Sequence, residues 1–294
     1  MADCQQELKK KVKLINASID KHMPAESARP TMLHRAMRYS VFAGGKRLRG
    51  TLALASAEAI GGKSKSALLS ATAIELVHTY TLIHDDLPCM DNDNLRRGKP
   101  TCHIAFDEAT AILAGDALLA LAFELIGNVI APPPYVPNQL TLELARAVGS
   151  YGVIGGQIED IAAEGKKPDL AIVKYIHLHK TAILVSAALK MGGIAAGANA
   201  DQLKALASYG TNLGLAFQII DDILNEISSP EVLGKASGTD KKQRKMTYIS
   251  AVGIDKAKTE AIKYSHKAVL AIQNMKGNAD FLVSFARIML NRQH

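Results

Sequence analysis

A chain of 294 residues, 48% of them hydrophobic and 21% charged, can bury a sizeable core and is too apolar to remain disordered. Aromatic residues make up only 5% and Trp is absent, while Ala and Leu are abundant, which favours packed helices over a β-sandwich. The formal net charge of +7 suits an anionic substrate, a nucleic acid or an acidic membrane surface, but no Lys/Arg run is interleaved with aromatics, which disfavours nucleic acid.

The first predicted helix carries Leu8, Val12, Ile15 and Ile19 on one face. Lys9, Lys10, Lys11 and Lys13 lie among them, so no apolar core of signal-peptide length is expected there. After the basic segment Gly44 to Arg49 (G-G-K-R-L-R), Ala53, Ala57 and Ile60 continue a helical pattern that Gly61-Gly62 ends. A long run beginning near Lys65 breaks at Leu87-Pro88. The apolar stretch from Leu113 to Ile130 is interrupted by Asp116 and Glu124, so no transmembrane segment is expected. Pro132, Pro133, Pro134 and Pro137 separate two further helices, and later breaks are expected at Gly165 to Pro168, Gly192 to Asn199, Ser228 to Gly238 and Gly277. No alternating run makes a convincing sheet. The expectation is an all-α chain, one domain over residues 1–294, folded as a single large bundle of about ten or more helices. Cys4, Cys89 and Cys102 are too few for a disulfide framework and form no C-x-x-C pair, so a cytoplasmic location is expected.

Two acidic motifs stand out. In H-D-D-L-P-C-M-D, His84 to Asp91, three carboxylates gather at the end of an apolar helix, where they oppose the helix dipole and repel one another. Pro88 stops the helix and lets Asp91 turn back toward Asp85. In Q-I-I-D-D-I-L-N, Gln218 to Asn225, Gln218 shares a helix face with Asp221 and Asp222. Hard oxygen ligands of this kind select Mg²⁺, which takes one or two protein carboxylates and completes its shell with water and phosphate. Near them lie two anion grips, L-R-R-G-K-P with Arg96 and Arg97, and the G-G-K-R-L-R segment with Lys46 and Arg49.

The ordered set resembles the polyprenyl synthase family, the head-to-tail isoprenyl diphosphate synthases. It runs from G-G-K-R-L-R through H-D-D-x-x-x-x-D-x-D-x-L-R-R-G-K-P-T-C-H, A-G-D-A-L, G-G-Q-x-x-D (Gly155 to Asp160), H-K-T (His179 to Thr181) and F-Q-x-x-D-D-I-L to L-G-K-x-x-G-x-D. The resemblance implies an isoprenoid synthase-like bundle with a central cavity, a homodimer, and magnesium, three ions bound with the allylic diphosphate. It implies that Asp85, Asp91 and Asp221 hold metal with Asp86 and Asp222 in support, and that Arg96, Lys180 and Lys235 grip the allylic diphosphate. Lys46, Arg49, His78 and Arg97 would hold isopentenyl diphosphate, and Thr181 and Gln218 would face the developing cation.

The same resemblance places an aromatic five residues before the first Asp at the cavity floor. Tyr80, with Thr81 one helical turn before Asp85, therefore points to farnesyl diphosphate made from dimethylallyl and geranyl diphosphates. Geranylgeranyl diphosphate synthase and a non-catalytic partner subunit are the alternatives. Three positions depart from the family pattern: Asn225 in place of Asp, Gly50 in place of Pro, and Ile249 in place of Pro. The first is expected to weaken magnesium binding.

Overall fold

The computed structural model describes residues 2–227, 245–275 and 277–290. Helix follows helix: α1 (Ala2–His22), α2 (Thr31–Val41), α3 (Leu48–Ala59), a 3₁₀ turn (Ser64–Ala67) and α4 (Leu68–Asp85). Then come α5 (Cys102–Ala105), α6 (Glu108–Gly127), α7 (Gln139–Val148), α8 (Val153–Ala163) and α9 (Leu170–Ile176). A π-helical segment (His177–Ala182) joins α9 to α10 (Ile183–Ala195), and α11 (Ala200–Ile227), α12 (Tyr248–Val252), α13 (Ile254–Ile272) and α14 (Asp280–Leu290) complete the described chain. The architecture is the all-α bundle that the composition predicts.

Position follows from which faces are apolar. α4 buries Ser70 to Val77 without interruption, so it has no solvent stripe and runs through the middle of the bundle. It packs on α6 and α3, and its buried side chains join those of α1, α2, α6, α7 and α10 in one core. A second core lies among α3, α10, α11, α13 and α14, and a third among α9, α11, α12 and α13. The acidic cluster lies at the C-terminal end of α4, with Asp86 buried and Asp85 and Asp91 half-buried.

Two local details refine the expectations. α10 ends at Ala195 and α11 starts at Ala200, within the break expected over Gly192 to Asn199, but Gly192 and Gly193 still belong to α10: a Cβ on Gly192 would overlap the Ala53 carbonyl of α3, so this glycine serves a close helix crossing. The L-R-R-G-K-P segment is a two-stranded antiparallel hairpin, β1 (Leu95–Arg96) and β2 (Lys99–Pro100), with Leu95 opposite Pro100 and Arg96 opposite Lys99. Its two turn residues, Arg97 and Gly98, have φ of 54° and 75°, the hand that a two-residue hairpin turn demands.

Among the described residues three helices are, by length and composition, apolar enough to cross a bilayer: Ser64–Asp85, Glu108–Gly127 and Leu170–Ala195. Asp116 and Glu124 therefore do not exclude a span by themselves, as the sequence reading held. The first of these is mostly wrapped by other helices, whereas only 39% of the α6 window is buried.

Candidate active site

Asp85 is the last residue of α4 and Asp86 its C-cap. After Pro88 the chain reverses, and the Asp91 N–H donates to the Asp85 carbonyl at 2.8 Å, so the third carboxylate returns to the first two. Burial pushes the Asp85 carboxyl up to about 6; the Lys180 ammonium opposes this and the Asp91 carboxylate adds to it. Asp86 is engaged differently. Its buried carboxylate accepts Arg96 Nε at 2.8 and 2.7 Å and Nη2 at 2.5 Å. The guanidinium expected on the allylic diphosphate is thus held on Asp86, a carboxylate expected to support metal.

The second motif lies on α11. Asp222 is buried and accepts the Tyr248 N–H at 2.7 Å and Gln218 Nε2 at 3.3 Å, with His177 Nε2 3.3 Å away. Three donors from α11, α12 and the π segment converge on it, which makes Asp222 a structural anchor beside Asp221 rather than an open ligand.

The π segment ties the two motifs together. Lys180 donates to Asp160 of α8 at 2.6 Å, and its ammonium is further stabilised by Asp85 and Asp91, which outweigh the cost of burial. The next residue, Thr181, donates through Oγ1 to Gln218 Oε1 at 2.9 Å, one turn before Asp222. Adjacent side chains therefore address both acidic motifs. The widened turn fits because glycines flank it: a Cβ on Gly156 of α8 would overlap the Lys180 backbone N, and one on Gly214 of α11 would lie 2.5 Å from Ala182 Cα.

Cations gather around His78 of α4. His78 is pushed well below its ordinary range, first by burial and then by Arg49, Arg97, Arg96 and Arg47, so its imidazole is neutral. Arg97 donates to the Gly44 carbonyl, and a Cβ on Gly45 would lie 2.5 Å from its guanidinium, so the glycine pair is a seat for Arg97. Arg49 feels both Glu75 and Asp221, and its Nε is buried without a hydrogen-bond partner. Lys46 is exposed and lines a groove against α1 with Leu8, Val12 and Asn16. Arg47 is instead internal, bonded to Asn16 at 2.9 Å and to the Val41 carbonyl at 2.5 Å, and 3.8 Å from Glu75. Glu75 also accepts the Gly50 N–H at 2.8 Å, a bond that proline could not make. That explains the absence of proline at this departure from the family pattern, and a Cβ at Gly50 would lie 3.0 Å from the Ala71 carbonyl, Glu75 Cγ and Ile15 Cδ1, which favours glycine.

Tyr80 is buried, its ring edge-on to His84 at 5.5 Å. His84 Nε2 lies 3.0 Å from the Ile112 carbonyl, and Gly115 leaves the room its ring occupies. Thr81 donates to the His78 carbonyl of its own helix at 2.8 Å. Lys235 lies outside the described residues. Two groups were given no role by sequence reasoning. Asp160 is the acid of G-G-Q-x-x-D, and the motif alone was a sufficient signal. Lys245, which bonds Asp91 at 2.8 Å and Asp160 at 3.2 Å, stands before Met246-Thr247-Tyr248 with no pattern to mark it.

Among the described residues no three His, Cys, Asp or Glu side chains already form a metal cage. The donor set nevertheless fits magnesium: Asp85, Asp86 and Asp91 are hard oxygen donors gathered at one helix end, burial disfavours the charge on Asp85, and a hard cation arriving with phosphate oxygens would offset that cost.

Residues 30–281 match the family model for polyprenyl synthetase. The chain belongs to this family. Among curated relatives, the polyprenyl synthetase described here is 42% identical to the heterodimeric geranylgeranyl pyrophosphate synthase large subunit 1, chloroplastic, of Arabidopsis thaliana, over 88% of this chain and 71% of that one. Among solved structures it is similar to an FPP/GFPP synthase from Zymomonas mobilis (TM-score 0.86, 37% identity, 98% of this chain and 99% of that one). It is also similar to a geranyltransferase from Helicobacter pylori complexed with magnesium and isoprenyl diphosphate (TM-score 0.84, 33% identity, 97% and 95%). This polyprenyl synthetase is a prenyltransferase of the prenyl diphosphate synthases, with an isoprenyl synthase fold.

Proposed function

We propose that this prenyltransferase condenses isopentenyl diphosphate with dimethylallyl and then geranyl diphosphate and stops at farnesyl diphosphate. The observation that carries the product length is Tyr80: a buried aromatic one turn above the acidic motif, braced by His84 and set against α6 through Gly115. An aromatic ring there shortens the space into which a growing chain extends.

Asp85, Asp91 and Asp221 would hold the magnesium, which neutralises the diphosphate as it leaves the allylic carbon. Lys180 stands beside Asp85 and Asp91 with its charge maintained, placed to receive that diphosphate. Arg49, Arg97 and neutral His78 form the second grip and orient isopentenyl diphosphate, whose double bond attacks the allylic cation. Thr181 and Gln218 present oxygen dipoles near the forming cation, and the apolar walls of α4, α6 and α10 exclude the water that would trap it. The lost proton goes to the departed diphosphate, so no protein nucleophile is needed.

A second reading, geranylgeranyl diphosphate as product, is favoured by the name of the Arabidopsis relative. Incubation with magnesium, isopentenyl diphosphate and each starter, followed by chromatography of the dephosphorylated products, separates the two: farnesol supports the first and geranylgeraniol the second. Tyr80→Ala is expected to shift the product to at least twenty carbons; an unchanged product would remove Tyr80 from the account. We also read the chain as a homodimer, supported by the exposed Ile112 and Leu113 of α6 and Ile154 and Ile158 of α8. A cytoplasmic location is supported by three free cysteines, which suit a reducing compartment.

A further inference from the structure

Lys245 precedes α12 and reaches into the site between two elements that it joins. Its Nζ lies 2.8 Å from Asp91 Oδ1 on the loop after α4, and 3.2 Å from Asp160 Oδ2 and 3.0 Å from Glu164 Oε1 at the end of α8. A single ammonium thus occupies the place among carboxylates that a cation would take. Asp160 at the same time holds Lys180 at 2.6 Å, so the two lysines share one acceptor and neither relies on Asp91 alone.

We propose that Lys245 is an internal counter-ion: its ammonium holds the Asp91 carboxylate in the substrate-free protein and yields it when magnesium arrives with a diphosphate. The inference deepens the proposed function and rests on it. The arrangement suits such an exchange. A lysine paired only with Asp91 would be left as an uncompensated, largely buried charge once the metal took that carboxylate, a costly outcome. Lys245 keeps Asp160 and Glu164, so the handover strands no charge. The bare metal must compete with an ammonium already in place, whereas the metal with a diphosphate brings further ligands and charge of its own. Binding of metal and of diphosphate is therefore coupled, and by linkage the coupling is reciprocal.

The test is a Mn²⁺ titration of the full chain followed by electron paramagnetic resonance, with and without inorganic diphosphate. For the native chain Mn²⁺ binds weakly alone and more tightly with diphosphate. In Lys245→Met, Mn²⁺ is expected to bind about tenfold more tightly without diphosphate, and the tightening by diphosphate shrinks by a similar factor. Lys245→Arg keeps the charge and is expected to stay within about twofold of the native chain. A Met variant of native melting temperature with native Mn²⁺ affinity overturns the proposal, as does an Arg variant that behaves like Met. Should the Met variant not fold, Glu164→Gln, at a half-exposed position, serves instead: with one retained acceptor weakened, Lys245 leans on Asp91 and diphosphate-dependent Mn²⁺ binding falls about threefold. No change there also overturns it. A native chain that binds no Mn²⁺ even with diphosphate sinks the magnesium reading itself, a result distinct from a native chain that binds normally and is unaffected by the substitutions.

Discussion

Asp85 and Asp86 are chemically identical neighbours in different surroundings. Asp86 is tied inward by Arg96, as Asp222 is by Tyr248, Gln218 and His177. Asp85 bears the electrostatic consequence, its carboxyl pushed up to about 6 by burial. The unfolded chain releases that proton near the ordinary carboxylate value, so across the interval the folded protein binds more protons than the unfolded one. The stability associated with the Asp85 proton is therefore present below about pH 4 and lost as pH rises through about 6, an effect on the order of 3 kcal/mol. Urea unfolding of the metal-free protein from about pH 4 to 7 should show this decline, and Asp85→Asn should flatten it. The aspartate motifs could be read from the sequence, but the partners that hold Asp86 and Asp222 could not. That depends on Arg96, ten residues along a hairpin, and on a backbone N–H from α12.

Glycine shows how much an element's context decides. Gly61-Gly62 ends a helix, as the sequence suggests, yet Gly192-Gly193 lies within one, because α10 must approach α3 closely where Gly192 meets Ala53 and Ser56. A glycine that breaks a helix and one that lets two helices cross look the same in a single sequence. Gly192→Ala would gain about 1 kcal/mol in helix propensity and lose more by pressing a methyl into the α3 carbonyl. A net destabilisation of about 1–3 kcal/mol is expected from such overpacking, read as a lower urea midpoint with unchanged slope. The π segment belongs to the same class. H-K-T was visible as a motif, but the extra width that points Lys180 and Thr181 at different acidic motifs depends on Gly156 and Gly214 in two other helices.

At the scale of the molecule, α6 is the apolar helix least accounted for by packing within the chain, and it follows the hairpin that carries Arg96 and Arg97. If α6 meets a second copy, Leu113→Lys should convert the dimer to monomer in sedimentation velocity at micromolar concentration, with helicity by circular dichroism retained. A native chain that sediments as a monomer would remove the homodimer reading.

Helical periodicity, proline punctuation and seven ordered motifs were enough to determine an all-α polyprenyl synthetase, because each is a local property of consecutive residues. Only tertiary structure decided the pairings. Lys245 lies 154 positions from Asp91 and 85 from Asp160, and Arg47 meets Asn16, 31 positions away. A charge's partner is chosen by the burial that removes its water and by whichever donor or acceptor the packing then brings within reach. Sequence order alone records neither.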